Sequence, residues 1–421
     1  HGCGITVLVL LFIFILAGGG LGLLFARKYM PSSELADKSR IFGIKGSQVA
    51  LILDNQVQEA KGIYEDGQVY LPVDWVNEYL NQRFYWDEGE KLLVYALPDS
   101  IVYADESTQG EKGPLFKVTD SGMYLSLGVV VNYTDIRTQA FATSQIKRVF
   151  IDTSWQPYDT AVLKKAGQVR VKGGVKSQII TEAAAGETVD VLETLEKWSR
   201  VRTSDGYIGY VENRKLEPGE QVAPVSTFEA PVYTSISMDG KVRLGFHQVT
   251  RQEGNNTLED YASNARGMNV IVPTWFNVVS SDGTYTSLAS KDYVDKAHDM
   301  GLKVWAMVEN VSTEESVKNL NTKTLMSSTS TRKKLIEKLM NEADTYGFDG
   351  FNLDFESLKA EAGPHYVQFI REMSVACRNK GLVLSVDNYV PSSYTAFYNR
   401  KEQGIVADYV IVMGYDEHYA G

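Results

Sequence analysis

The chain has 421 residues, 44% of them apolar and 23% charged, the profile of a globular protein of several domains with sizeable cores. A formal net charge of −11 excludes the basic footprint of a nucleic-acid binder or of a basic membrane-surface protein. The two cysteines, Cys3 and Cys377, lie too far apart and in too different a context to imply a disulfide framework, and no His/Cys cluster calls for a metal or cofactor.

The first element is an apolar run, Ile5–Phe25, 21 residues without a charge. That length spans a bilayer, and no small-x-small cleavage site succeeds it, so residues 5–25 are predicted to be an uncleaved transmembrane anchor. Arg27 and Lys28 on its C-terminal flank by charge alone favour a cytoplasmic position for the rest of the chain. The function expected of the C-terminal domain favours the opposite orientation, which we adopt.

After a polar linker, residues 45–155 read as β-rich and duplicated. Asp66–Leu80 overlays Asp120–Thr134 at an offset of 54 residues, matching Tyr70 with Tyr124, Leu71 with Leu125, Val76 with Val130 and Tyr79 with Tyr133. Each unit ends in an apolar strand, "KLLVYAL" and "KRVFIDT". The first half resembles the stalk-like module at the N-terminus of copper amine oxidases and of many bacterial surface proteins. Without a histidine cluster no copper chemistry is implied, and a spacer or carbohydrate-contacting role is all the resemblance suggests.

Residues 166–217 change to short alternating strands with turn signals at Gly173-Gly174, Ala185-Gly186 and "SDG". Val169, Arg170, Gly186, Val189, Val191, Trp198, Val201, Gly206 and Gly209-Tyr210-Val211 stand where the bacterial Src-homology-3-like domain has its pattern. The resemblance implies a small β-barrel common in cell-wall-associated enzymes, in which Trp198 and Tyr210 are either barrel core or peptide contacts. Glu217–Pro231 reads as a linker.

From Lys241 onward apolar strands alternate with helical patterns, and a glycine stands near the end of each helical stretch: Gly267, Gly301, Gly347, Gly381 and Gly404. Pro364 suits the first turn of its helix. Continuous apolar strands between helices predict a parallel sheet covered on both faces. With no Gly-rich phosphate loop, the fold class is α/β: a (β/α)8 TIM barrel over residues 240–421, of which about six strands are present, preceded by the small β-barrel, the α+β stalk region and the N-terminal transmembrane helix. Two further strands are expected beyond Gly421.

The fourth strand, "FDGFNLDFE", carries polar side chains inside an apolar run. Alternation puts Asn352, Asp354 and Glu356 on the inward face and Phe351, Leu353 and Phe355 against helices. In a barrel the inward set rises to the C-terminal rim, where barrel enzymes keep their chemistry. Two carboxylates two residues apart on one face couple, raising one pKa, as a general acid near neutral pH requires. Asp349 falls off this face and reads as structural.

These residues match the DGxDxDxE signature of glycoside hydrolase family 18, with Asp349, Gly350, Asn352, Asp354 and Glu356 at its specified places; "MGYDEHY", Met413–Tyr419, is a second match at the end of the sixth strand. The resemblance implies retaining hydrolysis of β-linked N-acetylhexosamine glycans in which the substrate's own acetamido oxygen is the nucleophile. It implies Glu356 as proton donor, Asp354 orienting the acetamido group, Tyr415 donating to its oxygen, and Met413 and Asp416 lining the pocket. The signature's middle carboxylate is Asn352 here, an amide expected to donate to Asp354 and keep it ionised. Asn at this place resembles the branch acting on bacterial peptidoglycan and spore cortex.

Trp275 and Trp305, read as ending the second and third strands, are candidate sugar-stacking platforms, with core packing as the alternative. Glu309 and Asn310 are candidate substrate contacts. His247 reads as a structural histidine, and His298 and His365 as surface residues on helices. The expected protein is thus a bacterial cell-surface glycosidase on the membrane, its catalytic part extracellular, with a cell-wall or chitin-like glycan as partner and no nucleic acid. The alternative is a non-catalytic carbohydrate-binding protein on a degenerate barrel.

Overall fold

A computed structural model of the chain describes residues 30–263, 265–311, 318 and 320–415. The predicted anchor, residues 5–25, lies outside the described residues; among those described, no helix is long and apolar enough to cross a membrane. The described residues divide into two compact units, one of residues 30–80 and 109–229, the other of residues 81–108 and 230–415.

The first unit holds two seven-stranded sheets. In one, the duplicated segments take the same local form. Gln68–Pro72 runs into the helix Val73–Tyr79, and Gly122–Ser126 into the helix Leu127–Asn132. The two strands pair antiparallel with Leu71 opposite Leu125. These are equivalent residues of the repeat, so a local pseudo-dyad passes between them. The second sheet, Thr160–Leu163 to Leu216–Pro218, closes on a core of Val169, Val189, Val201 and Val211. Trp198 and Tyr210 are half-buried and outside this core, with Trp198 lying against Gly173.

The second unit is built on six parallel strands in sequential order: β1 (Leu244–His247), β2 (Val270–Pro273), β3 (Lys303–Glu309), β4 (Gly350–Asp354), β5 (Val383–Tyr389) and β6 (Tyr409–Met413). Between them run α1 (Leu258–Ser263), α2 (Lys291–Asp299), α3 (Thr329–Tyr346), α4 (Gly363–Lys380) and α5 (Arg400–Val406). This is the partial, half-barrel form of the expected TIM barrel. Gly347 and Gly381 cap α3 and α4 in the left-handed conformation, which a residue without Cβ adopts most readily. Gly404, expected as a helix stop, instead lies inside α5, which Ala407 caps.

Alternation sorts the side chains as anticipated. Ile271, Val304, Ala306, Phe351, Leu353, Leu384 and Val386 pack outward against the helices, while Val270, Val272, Trp305, Met307 and Val383 fill the interior base. The signature glycine has a packing reason: a Cβ on Gly350 would meet the Val383 carbonyl oxygen at 2.5 Å and Trp305 Cδ1 at 3.1 Å. The segment entering β1 crosses the base to β6, with the Ile236 and Met238 N–H groups donating to Asp408 and the Tyr409 hydroxyl.

Residues 81–108, read from sequence as the end of the first stalk repeat, form a three-stranded sheet that belongs to the barrel unit. Its strands, Tyr85–Asp87, Leu92–Ala96 and Ile101–Ala104, are fastened to α3 and α4. Asp87 accepts from the Thr329 N–H and hydroxyl at the start of α3, and Arg378 of α4 donates to the Pro98 carbonyl.

Candidate active site

The parallel register stacks the interior polar residues of three strands. Glu309 of β3 lies opposite Asp354 of β4, and Asn352 opposite Ser385 of β5. Beyond the last paired residues, Leu353 and Val386, the charge of Asp387 acts on Asp354. Four carboxyl groups therefore converge at the C-terminal end of the sheet: Glu309, Asp354, Glu356 and Asp387. Asp387 is the member that the sequence pattern did not reveal.

The chain just past β4 is pinned peptide by peptide. The Tyr398 hydroxyl donates to the Phe355 carbonyl at 3.0 Å. Asn310 clasps the Glu356 backbone, accepting from its N–H at 2.8 Å and donating to its carbonyl at 3.0 Å. The Ser357 N–H donates to the Tyr389 hydroxyl at 3.1 Å, and that hydroxyl donates to Glu356 Oε2 at 2.9 Å. Ser357 sits at φ 57°, a left-handed conformation that a serine holds only when its surroundings fix it. Behind Glu356, Phe355 is 1% exposed against Tyr366 and Phe369 of α4. The half-buried Glu356 side chain is thus held in a fixed place at the mouth, the condition for a catalytic acid.

Burial, together with the charges of Asp387, Glu356 and Glu309, pushes the Asp354 carboxyl up to about 8. Burial also raises Asp387, against the Asn352 hydrogen bond and with Glu356 adding to the rise, to about 7. Asp354 Oδ1 and Asn352 Oδ1 are buried and have no hydrogen-bond partner among the described residues.

These two shifts make stability depend on pH. Both folded values lie above the ordinary 3.8, so the folded state holds these protons more tightly than the unfolded one. The resulting stability is complete below about pH 4 and is lost as pH rises through about 7 to 8. Between about pH 5 and pH 8 the wild type should lose about 3 kcal/mol relative to Asp354→Asn, which carries no titrating group there. Denaturant midpoints of both proteins at the two pH values measure this, and an unchanged difference would refute the shift.

The other predicted residues separate. Asn352 is fully buried, so it does not contact substrate as expected, and its Nδ2 donates not to Asp354 but to Ser385 Oγ and Asp387 Oδ1, both at 3.0 Å. Neither tryptophan is a stacking platform. Trp275, 1% exposed, shares the outward parity of Ile271; its Nε1 donates to Asn255 and its ring packs on Tyr293 and Phe348. Trp305, also 1% exposed, points inward but at the base, opposite Gly350 and against Tyr409, two residue layers below Glu309. Met413 ends β6 opposite Tyr389. Tyr415 is 74% exposed, yet its hydroxyl is raised, by desolvation and by the charges of Asp387, Asp354 and Glu356, which puts it in electrostatic reach of the cluster. Asp416 lies outside the described residues.

Asp349 is structural: at the foot of β4 it accepts from His298, Lys303 and the Val304 N–H. Burial alone would raise its carboxyl, but these bonds outweigh that and hold it low. His247 is buried, bonded to the Tyr293 and Thr257 hydroxyls. His365, expected on the surface, is half-buried and bonded to the Tyr85 hydroxyl at 2.7 Å.

Comparison with known proteins gives two family matches. Residues 210–420 match Glycosyl hydrolases family 18, and residues 169–216 the Bacterial dipeptidyl-peptidase Sh3 domain. The uncharacterized glycosylase YvbX of Bacillus subtilis (strain 168) is 25% identical over 161 residues, 34% of this chain and 46% of that protein. The chain thus spans less than half the length of this curated relative. Among solved structures, a chitinase from Chromobacterium violaceum is 22% identical with a TM-score of 0.36, covering 43% of this chain and 57% of the other. The spore cortex-lytic enzyme SleL of Bacillus cereus is 18% identical with a TM-score of 0.36, covering 48% of this chain and 45% of the other.

Proposed function

This chain belongs to glycosyl hydrolases family 18, and from that premise we propose that it cleaves β-linked N-acetylglucosamine glycans of the cell wall, with retention, by substrate-assisted catalysis. The carrying observation is the fixed Glu356: its backbone is clasped by Asn310, its carboxyl is bonded to Tyr389, and it stands beside Asp354 at the mouth of the sheet.

In this reading Glu356 gives its proton to the glycosidic oxygen as the bond to the anomeric carbon breaks. The acetamido carbonyl oxygen of the same sugar attacks that carbon from the opposite face, forming a cyclic oxazolinium ion. Asp354, whose buried Oδ1 is without a partner among the described residues, accepts from the acetamido N–H and balances the positive charge that develops there. Tyr415 donates to the acetamido oxygen, and Met413 and Asp416 line that side. Glu356, now a carboxylate, takes a proton from water as the water opens the ring, and two inversions give net retention. Asn352 acts only through its neighbours.

The wall, rather than chitin, is favoured by the Sh3-type domain in the same chain and by the amide at position 352. The uncharged run of residues 5–25 supports membrane anchoring, the glycan-cleaving reading puts the barrel outside the cell, and residues 45–80 and 109–155 serve as spacer. The test is incubation of the full chain with purified peptidoglycan and with N-acetylglucosamine oligomers, tracking new reducing ends and the anomeric form of the first product by NMR. New β-configured ends support the proposal; α-configured ends reject the substrate-assisted route. Binding without new ends assigns the carbohydrate-binding role instead.

A further inference from the structure

We propose that Asp387 is the proton partner of Asp354, supplying from the neighbouring strand the carboxylate that the family signature places where this chain has Asn352. This rests on the catalytic reading of the site and adds a residue to it.

The geometry is specific. Asp387 is 2% exposed on the interior face of β5, one register step above Ser385, which lies opposite Asn352. The Asn352 amide donates through Nδ2 to both Ser385 Oγ and Asp387 Oδ1. An amide is the side chain that this arrangement needs. A carboxylate at 352 would bring a second anion against Asp387, whereas Nδ2–H fixes the Asp387 carboxyl in place through Oδ1 alone. Position 352 thus orients the carboxyl group to which the proposal gives the shared proton.

The electrostatics agree. Of the charges acting on Asp354, Asp387 is the largest, ahead of Glu356 on its own strand and Glu309 on β3. The hydroxyls of Tyr366 on α4, Tyr398 after β5 and Tyr415 after β6 also feel these carboxylates, and Tyr389 of β5 faces Glu356. Two facing acids in one desolvated site share a proton, and the pair titrates in two coupled steps. In this proposal the free pair holds one proton between Asp354 and Asp387. When the oxazolinium charge develops, it passes to Asp387, leaving Asp354 anionic beside the cation and Asp387 neutral. One proton moves, no other reactant is needed, and the site's total charge is unchanged.

The test uses the full chain with 13C-labelled aspartate carboxyls, the Asp354 resonance being the one that Asp354→Asn removes. The Asp354 midpoint should fall by at least about one pH unit in Asp387→Asn, and recover in the exchanged variant Asn352→Asp/Asp387→Asn, which returns the carboxylate to the adjacent position. With an N-acetylglucosamine oligomer as substrate, Asp387→Asn should lower kcat at least ~10-fold with little change in KM, shift the pH profile, and be rescued by the exchange. An Asp354 midpoint unmoved in Asp387→Asn overturns the pairing, as does an exchanged variant that folds but recovers neither midpoint nor kcat. If the wild type turns over no glycan, the hydrolytic reading fails, while the carboxyl titration still decides the pairing.

Discussion

Replacing Glu356 by glutamine is expected to lower kcat on an unactivated N-acetylglucosamine oligomer by about 10²–10⁴-fold, the usual worth of a positioned general acid, with KM nearly unchanged. The variant tests chemistry rather than folding because the supports of residue 356 do not depend on its charge. Asn310 holds the backbone N–H and carbonyl, and the Tyr389 hydroxyl can donate to an amide oxygen as it does to Oε2. What glutamine cannot do is release a proton. The loss should therefore depend on the leaving group: an aryl glycoside, whose departing oxygen is stable as an anion, should lose far less than a sugar–sugar linkage. Equal losses for both would assign Glu356 a binding role. Undiminished turnover would remove it from the mechanism.

How far this site was legible depends on what alternation does and does not encode. Period two placed Asn352, Asp354 and Glu356 on one face because that depends on one strand alone. The same rule applied to β5 would have flagged "SVDNY", where Ser385, Asp387 and Tyr389 share one face. That signal was present but short, and its meaning comes from the register with β4, which no local pattern specifies. Parity would also have removed Trp275 from the platform candidates, since it is in phase with the outward Ile271. Trp305 is in the inward phase but two layers too deep, and depth depends on where each strand starts relative to its neighbours. The pairing choice of residues 81–108 was illegible for a similar reason. "KLLVYAL" is a half-buried strand in either context, and only long-range contacts assign it to the barrel unit.

Those contacts carry the largest expected effect on stability. Arg332 of α3 is 0% exposed, and its guanidinium donates to both oxygens of Glu372 on α4 at 2.8 and 3.0 Å, to the Met326 carbonyl, to the Thr329 hydroxyl and to the Tyr85 hydroxyl of the three-stranded sheet. Arg332→Met would leave Glu372, itself 1% exposed, as a buried carboxylate without its counter-charge, at a cost of about 3–5 kcal/mol. Adding Glu372→Leu should recover most of that loss, because replacing both members of a buried pair by apolar groups is far cheaper than orphaning one. Urea unfolding of the barrel unit measures both variants. A single mutant within about 1 kcal/mol of wild type would show that the pair is worth no more than a surface one. The consequence reaches the site through α4: Glu372 lies on the same helix as Tyr366 and Phe369, whose rings back Phe355, the residue before Glu356. Loosening α4 should therefore lower kcat before the unit unfolds, so the single mutant is expected to lose turnover at temperatures where its helical signal is still intact, and the double mutant to regain it.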